Sequence, residues 1–163
     1  YLPYEALIFV NQLIEFGIDC KIDFINKGEH IIIRDICEKI NFPLDRINIK
    51  QLKNENIPNE LVKYDCGLVF IDKGKWLKMS SPTKVGEYLA SGLFVLSLEG
   101  LNVTDRLAKK YESIECFRRD FLINKISNIE AQKLYTKIKD PRISIYSREV
   151  AKKEYCLYLF ITC

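Results

Sequence analysis

Histidine is almost absent from the sequence, and its six cysteines are far apart. His30 is the single histidine, and no two cysteines have the close spacing of a zinc knuckle. These shortages argue against a closed metal site built from Cys and His. Cysteines such as Cys66 lie in apolar stretches, where a thiol packs as a small hydrophobe. The cysteine pattern therefore predicts a reducing compartment, which we take to be the cytoplasm.

The chain also lacks a strong charge imbalance and a long apolar run. Its net charge is +3, from 25 Lys and Arg residues against 22 Asp and Glu residues. That balance permits an anionic ligand but lacks the basic excess that is typical of nucleic-acid-binding proteins. No apolar stretch approaches the ~20 residues that span a bilayer, and no signal-peptide pattern occurs. We expect a protein that binds no nucleic acid and has no transmembrane helix.

A small basic cluster in the sequence could favour contact with an anionic membrane surface. It consists of Lys109, Lys110, Arg118 and Arg119. Such clusters are usually only solvated, and the alternative is a peripheral contact with the anionic inner face of the membrane.

The 163 residues fit one domain of ordinary size. With 48% hydrophobic and 29% charged residues, the composition is that of a folded globular chain. The sequence has no initiating methionine and opens inside a helical pattern. We therefore expect residues 1–163 to be one domain of a longer chain.

Strand and helix patterns alternate along the sequence. Helices are predicted over residues 4–16, 29–40, 57–64, 82–91 and 104–112. Strands are predicted over residues 18–25, 46–49, 65–71, 93–98 and 114–117. Residues 119–139 and 144–163 are helical in period, and Thr104 and Asp105 are predicted to cap the helix that they begin. Short connections between alternating elements predict an α/β fold: a Rossmann-like parallel sheet with helices on both faces.

Residues 80–92 carry the most chemistry. Ligands of such sheets bind beyond the carboxyl ends of the strands, where helix N-termini point. Ser81 is a good N-cap, Pro82 suits the first helical position, and the N–H groups of Thr83 and Lys84 have no partner within the helix. These free donors and the positive end of the helix dipole predict an anion site. The hydroxyl of Ser80 adds a further donor.

Glu87 follows Thr83 by one helical turn and projects from the same face. A carboxylate would repel a bare phosphate, but it accepts two hydroxyl hydrogen bonds and therefore suits a ribose diol. Gly86 removes a side chain at the expected point of closest ligand approach. The alternative is a plain capped helix with a solvated glutamate.

The segment Pro-Thr-Lys-Val-Gly-Glu-Tyr-Leu-Ala-Ser-Gly-Leu-Phe-Val-Leu, residues 82–96, resembles a family signature. It is similar to the donor-site motif of retaining glycosyltransferases of the group 1, or family 4, type. Residues 57–61 and 64–68 resemble the short helix and the following strand of that family. The resemblance implies one half of a GT-B fold, namely its C-terminal, donor-binding domain, with the first strand and the N-terminal domain absent here.

The resemblance also implies roles for individual residues. It assigns the donor diphosphate to Ser80, Ser81, Thr83 and Lys84. It assigns the ribose to Glu87 and the nucleobase to Lys50, Gln51 and Leu52. Two positions depart from the motif: Met79 stands where many relatives have a second glutamate that contacts the sugar, and Phe94 replaces a proline. Sugar recognition must therefore differ or come from elsewhere.

Three further residues are candidates for the donor loop. Lys73 and Lys75 precede the phosphate helix and could neutralise a departing nucleoside diphosphate, whereas the alternative is a solvated loop. Gly100 could let the backbone approach the donor sugar, or it is simply a turn glycine. Residues 155–161 are apolar almost all round, which favours a contact with the N-terminal domain of the full-length chain over the alternative, a membrane anchor.

The leading hypothesis is a transferase domain for capsule, lipopolysaccharide or related surface polysaccharide. It would bind a UDP- or GDP-linked hexose or N-acetylhexosamine without a metal or other cofactor and would be inactive alone. It would work in the cytoplasm, and a peripheral position at the inner face of the membrane is an open alternative. The alternative is a non-catalytic Rossmann-like or receiver-like domain that binds a ligand or regulates. A receiver would carry a cluster of acids at the strand ends, and the sequence shows none.

Overall fold

The computed structural model describes residues 1–25, 28, 30–72 and 83–155. In these ranges the chain forms five strands: β1 (Ile22–Ile25), β2 (Ile47–Lys50), β3 (Cys66–Val69), β4 (Phe94–Leu98) and β5 (Ile114–Phe117). It also forms eight α-helices: α1 (Pro3–Glu15), α2 (His30–Lys39), α3 (Ile57–Leu61), α4 (Thr83–Ser91), α5 (Asn102–Ala108), α6 (Arg119–Ile123), α7 (Asn128–Ile138) and α8 (Ile143–Glu154).

All strand pairs are parallel. β1 pairs with β2, with Ile22 opposite Ile47. β4 lies between β3 and β5, with Val95 opposite Gly67 on one side and Ile114 on the other. Helices flank these open sheets, so the predicted α/β class is confirmed and the architecture is consistent with a Rossmann-like half domain. The single predicted sheet is instead divided into a two-stranded and a three-stranded sheet.

β4 is buried at every position because a core lies on each of its faces. Phe94, Leu96 and Leu98 pack into a core with α1, α2, α6 and α7. Val95 packs into a second core with α4, α5 and α8. This two-sided burial is the physical reason for the nearly continuous apolar run over residues 93–98.

The helical pattern over residues 119–139 contains a break that the period does not reveal. Residues 124–127 separate α6 from α7, and Ser127 begins α7 with a reciprocal capping box. The N–H of Ile126 donates to the buried side-chain oxygen of Gln12 at 2.8 Å. The expectation of one helical stretch was wrong because α1 supplies a hydrogen-bond acceptor that holds this linker in an extended form.

Thr104 and Asp105 do not cap α5, which begins at Asn102. The Asp105 carboxylate accepts a hydrogen bond of 2.8 Å from the N–H of Gly100, and Thr104 is fully buried. The predicted cap was therefore wrong, since Asp105 lies inside the helix and its carboxylate closes the turn that precedes the helix.

The first predicted strand is shorter than expected. It was predicted over residues 18–25, and the strand observed there is β1, Ile22–Ile25.

Among the described residues, none of the helices combines the length and the apolar character that crossing a membrane requires. The apolar segment over residues 155–161 lies, apart from Tyr155, outside the described residues. The predicted contact between this segment and another domain therefore stays a prediction.

Candidate functional site

The carboxyl ends of the parallel strands define the edge of the molecule where a ligand is expected. Lys50 ends β2, and Gly100 follows β4 by two residues. Each helix that follows a strand runs back towards the amino edge, so the first turns of α4 and α5 also lie at the carboxyl edge. Gly100 and the start of α4 therefore share the carboxyl edge of the three-stranded sheet, and Lys50 lies at the carboxyl end of a strand in the other sheet.

The first two turns of α4 hold three of the predicted ligand residues. Thr83 is exposed, and Lys84 and Glu87 expose 35% and 42% of their side chains. The Lys84 ammonium lies 2.8 Å from the Glu87 carboxylate. A cation and a carboxylate, both accessible, thus stand together beside the positive end of a nine-residue helix. This pair can meet an anionic group and a diol at the same time.

Tyr1 is a neighbour of this pair that the sequence pattern did not predict. Burial raises the pKa of the Tyr1 phenol, and the charges of Lys84 and Glu87 both act on it. The phenol is therefore within electrostatic reach of this pair, although Tyr1 is 66% exposed, and it stays protonated at neutral pH. Tyr1 could be placed there only by the fold, because 82 residues of sequence separate it from Thr83.

Packing against β3 fixes the position of α4. Val85 and Leu89 are fully buried, and the Tyr88 ring lies directly over Gly67 of β3. A Cβ atom at Gly67 would lie only 2.2 Å from the Tyr88 ring. The N-terminal half of α4, which carries Lys84 and Glu87, is therefore held on a rigid support.

Gly86 serves packing rather than ligand approach. A Cβ atom there would lie 2.8 Å from the ring of Tyr155, just beyond α8. The expectation that its missing side chain makes room for the ligand is therefore wrong, since an aromatic ring of the protein fills that space. The contact ties the first half of α4 to the end of α8.

Lys50, one of the predicted nucleobase residues, belongs to a polar network between β1, β2 and α3. Its ammonium lies 2.5 Å from Asp23 and 2.8 Å from Glu60. The Tyr64 hydroxyl accepts from Lys50 at 3.2 Å and donates to Asp23 at 2.6 Å. Burial opposes ionisation of Asp23, but hydrogen bonds from Lys50, Tyr64 and Asn48 outweigh it and lower the pKa of that carboxyl. Lys50 thus joins the two strands to α3.

The same network predicts a specific acid sensitivity. Hydrogen bonds from Lys50 and Lys63 lower the pKa of Glu60 from its ordinary 4.5 to about 2. A carboxyl whose pKa is depressed in the folded state stabilises the fold above its unfolded pKa, and that stabilisation is lost as the pH falls through the folded pKa. Lys50→Met should therefore lower the free energy of unfolding at pH 7 and flatten its decline between pH 4.5 and 2.

Urea unfolding at several pH values measures this change. Lys63→Met is the matched control, because Lys63 contacts Glu60 at 2.7 Å but is 64% exposed. The control should have the smaller effect at pH 7. Parallel pH profiles for the Lys50→Met variant and the unsubstituted chain would show that Lys50 does not hold these carboxylates.

Gln51 and Leu52 follow β2 as an irregular segment before a short 3-10 turn (Asn54–Asn56). Gln51 is exposed and Leu52 is half-buried. Within the ranges that the structure describes, no hydrogen bond or ion pair joins the segment 50–52 to Lys84 or Glu87. The nucleobase role of this segment therefore stays a prediction.

Gly100 has a left-handed backbone with φ of 97°, which favours glycine. Its N–H donates to Asp105, so this donor is already used inside the protein.

A cleft of about 430 Å³ opens nearby at the carboxyl ends of β4 and β5. It is lined by Glu99, Cys116, Phe117, Arg118, Asp120, Phe121, Asn124 and Lys125. Burial, together with the charges of Asp105 and Glu99, raises the pKa of Cys116 to about 12, so its thiol is no nucleophile at neutral pH.

Several predicted site residues lie outside the described residues. They are Lys73, Lys75, Ser80 and Ser81, and the same holds for Met79 and Pro82. Their assigned roles stay predictions. In the described part of the chain, no group of three or more His, Cys, Asp or Glu residues could hold a metal ion.

No known protein family, curated protein or solved structure matches the chain.

Proposed function

We propose that this chain is the donor-binding domain of a two-domain glycosyltransferase that uses a nucleoside-diphosphate sugar. The observation that carries the proposal is the accessible Lys84–Glu87 pair in the N-terminal half of α4. The resemblance of residues 82–96 to the donor-site motif supports the same reading. The parallel α/β fold supports it too, because such sheets bind ligands at the edge where this pair lies.

The charges at the site determine which group of the ligand each residue binds in this proposal. The diphosphate lies at the N-terminal end of α4, where free N–H groups, the Thr83 hydroxyl and the Lys84 ammonium are donors. Glu87 turns from Lys84 towards the ribose and accepts its two hydroxyl hydrogen bonds. As the bond between the sugar and the diphosphate breaks, negative charge grows on the diphosphate, and the helix end and Lys84 stabilise it.

The acceptor and the remaining catalytic groups come from the N-terminal domain of the longer chain in this proposal. The reaction is placed in the cytoplasm, at or near the inner face of the membrane, and makes surface polysaccharide. Cys20, Cys37, Cys66 and Cys116 are free thiols, which supports a reducing compartment. No metal is required, because the helix end and a basic side chain can neutralise the diphosphate.

Calorimetric titration of the isolated chain tests this proposal. UDP or GDP should bind weakly, ADP should bind less well, and the corresponding nucleoside should not bind, since the diphosphate supplies most of the attraction. The same chain should transfer no sugar from UDP- or GDP-linked donors. Absence of binding by all three diphosphates would contradict donor binding, and robust transfer would contradict the proposal that this is half of an active site.

A further inference from the structure

The cleft at the carboxyl ends of β4 and β5 takes no part in the proposed nucleotide site. Its volume of about 430 Å³ lies within the range of small-molecule sites, roughly 300–1,000 Å³. Its aromatic wall, formed by Phe117 and Phe121, packs against the core that contains α1, α6 and α7. α4 packs against the second core, on the other face of the same sheet. The aromatic wall and α4 therefore lie on opposite faces of the three-stranded sheet.

The walls of the cleft are fixed by contacts inside the protein. The N–H of Glu99, directly after β4, donates at 2.9 Å to the carbonyl of Phe117 at the end of β5. On the other side, the buried side-chain amide of Gln12 donates to the carbonyl of Leu122 at 3.1 Å and accepts from the N–H of Ile126 at 2.8 Å. The stretch between these two contacts supplies lining residues. The cleft is therefore preformed, and a ligand loses little affinity in ordering it.

Phe121 ends a row of aromatic rings that runs from the core to the cleft. The rings of Phe117 and Phe121 stack with 5.1 Å between their centroids and 9° between their planes. Phe9, which is only 1% exposed, lies 6.4 Å from Phe117. Phe121 itself is half-buried. The face of an aromatic ring is negatively polarised, so it attracts the C–H groups on one side of a sugar ring.

Three exposed polar side chains of the lining have no partner among the described residues. They are Glu99, Asn124 and Lys125, whose side chains make no hydrogen bond or ion pair there. Arg118 and Asp120, which also line the cleft, pair with each other at 2.5 Å. A carboxylate accepts hydrogen bonds, an ammonium donates them, and an amide does both. The unpaired side chains thus offer donors and acceptors beside one aromatic surface.

The lining has no net charge. Two of its side chains are acidic, Glu99 and Asp120, and two are basic, Arg118 and Lys125. A phosphate or a polycation gains little from such a lining. A neutral ring whose hydroxyl groups both donate and accept uses all the unpaired side chains, and its C–H face packs on Phe121. These are the properties of a sugar.

We propose that the cleft binds a neutral sugar ring of a saccharide that is not attached to the nucleotide. The ring lies on Phe121, and its hydroxyl groups donate to Glu99 and accept from Asn124 and Lys125. The sugar contact is independent of the proposed transferase function, and only its interpretation as a contact with the acceptor rests on that function. In that interpretation the cleft adds to the acceptor contacts of the N-terminal domain.

Two-dimensional NMR titration of the chain with neutral sugars tests the cleft. The probes are methyl β-D-glucopyranoside, methyl β-D-galactopyranoside and N-acetylglucosamine. Glycine is the zwitterionic control, because its two ends could pair with Glu99 and Lys125. At least one sugar should shift the amide signals of Phe121, Asn124 and Lys125 with millimolar affinity and leave those of α4 unchanged. Absence of these shifts with all three sugars, or equal shifts with glycine, would overturn the assignment.

Two exposed residues of the lining identify the contacts. Glu99→Ala and Lys125→Ala should each weaken the binding of that sugar about tenfold, the effect of one hydrogen bond to a charged group. The matched controls are Glu112→Ala and Lys133→Ala, which change exposed residues outside the lining and should retain the affinity. Equal affinity in all four variants would show that the sugar binds elsewhere.

Repeating the titration with UDP-glucose or GDP-mannose separates the saccharide from the donor. A sugar in a separate site should keep its affinity at concentrations of the nucleotide sugar that saturate the chain. Displacement would assign the cleft to the donor and overturn the proposal. Sugar binding without any nucleotide binding would contradict the transferase function alone, and nucleotide binding without sugar binding would contradict this inference alone.

Discussion

Replacing Gly67 with alanine is expected to destabilise the fold by about 1–3 kcal/mol, the range for overpacking a close-packed core. The added Cβ atom would lie 2.2–2.7 Å from three ring atoms of Tyr88. The ring cannot simply turn away, because Tyr88 packs on the core that contains the buried Val85 and Leu89. We expect α4 to shift away from β3, and thermal or urea unfolding measures the cost.

Two comparisons show whether the Tyr88 ring is the cause. Gly28→Ala is the matched control, since a Cβ atom at that glycine meets no atom within 4 Å, and it should leave stability nearly unchanged. In a Tyr88→Leu background, the same Gly67→Ala change should cost less than it does beside tyrosine. An equal cost in both backgrounds would assign the effect to the strand and not to the ring.

Replacing Arg119 with alanine is the second change with a large expected effect. Glu5 is only 3% exposed, and both Nε and Nη2 of Arg119 donate to its Oε1 atom, the former at 2.8 Å. Without Arg119 a carboxylate stays in the core with no cation beside it, and breaking a buried pair in this way costs about 3–5 kcal/mol. We expect about 3 kcal/mol, because Arg119 itself is half-exposed and water can enter.

Urea unfolding of three variants isolates the charge from the loss of packing. Arg118→Ala should change stability little, since Arg118 and its partner Asp120 are both largely exposed. Adding Glu5→Gln to Arg119→Ala should recover part of the loss, because a neutral amide costs less to bury than a carboxylate. If the double variant were less stable than Arg119→Ala alone, the buried charge would not be the cause.

Local patterns predicted much of the fold, and the failures share one physical cause. β5 and α4 follow from apolar runs, helical period and punctuating glycines, all of which act over a few residues. The break before α7 depends on the side chain of Gln12, 114 residues from Ile126. The division of the sheet likewise depends on which strands are neighbours in space. Sequence spacing has no access to such distant partners.

The candidate site shows the same limit. Thr83 and Glu87 could be placed on one helix face, one turn apart, because their spacing fixes it, and the structure confirms that both lie in α4. The position of Tyr1 and the use of Lys50 in an ion-pair network could not be predicted, since both depend on how separate elements pack. The packing role of Gly86 could not be predicted either, because its contact residue Tyr155 is far away in the sequence.

The role of Glu87 in binding the ribose is the most specific part of the proposed function. Its carboxylate already pairs with Lys84, so removing it also frees a cation that attracts phosphate. A simple loss or gain of nucleotide affinity in a Glu87→Ala variant would mix these two effects. The preference for a ribonucleotide over its 2′-deoxy form isolates the hydroxyl contact, because both ligands carry the same diphosphate.

The deciding measurement is therefore this preference, by calorimetric titration of whichever of UDP and GDP binds better and of its 2′-deoxy form. The unsubstituted chain should prefer the ribonucleotide about tenfold, the effect of one hydrogen bond to a charged acceptor. Glu87→Ala should abolish the preference. Glu112→Ala, an exposed glutamate before β5 at the opposite edge of the sheet, should retain it. An unchanged preference in the Glu87→Ala variant would contradict the proposed ribose contact.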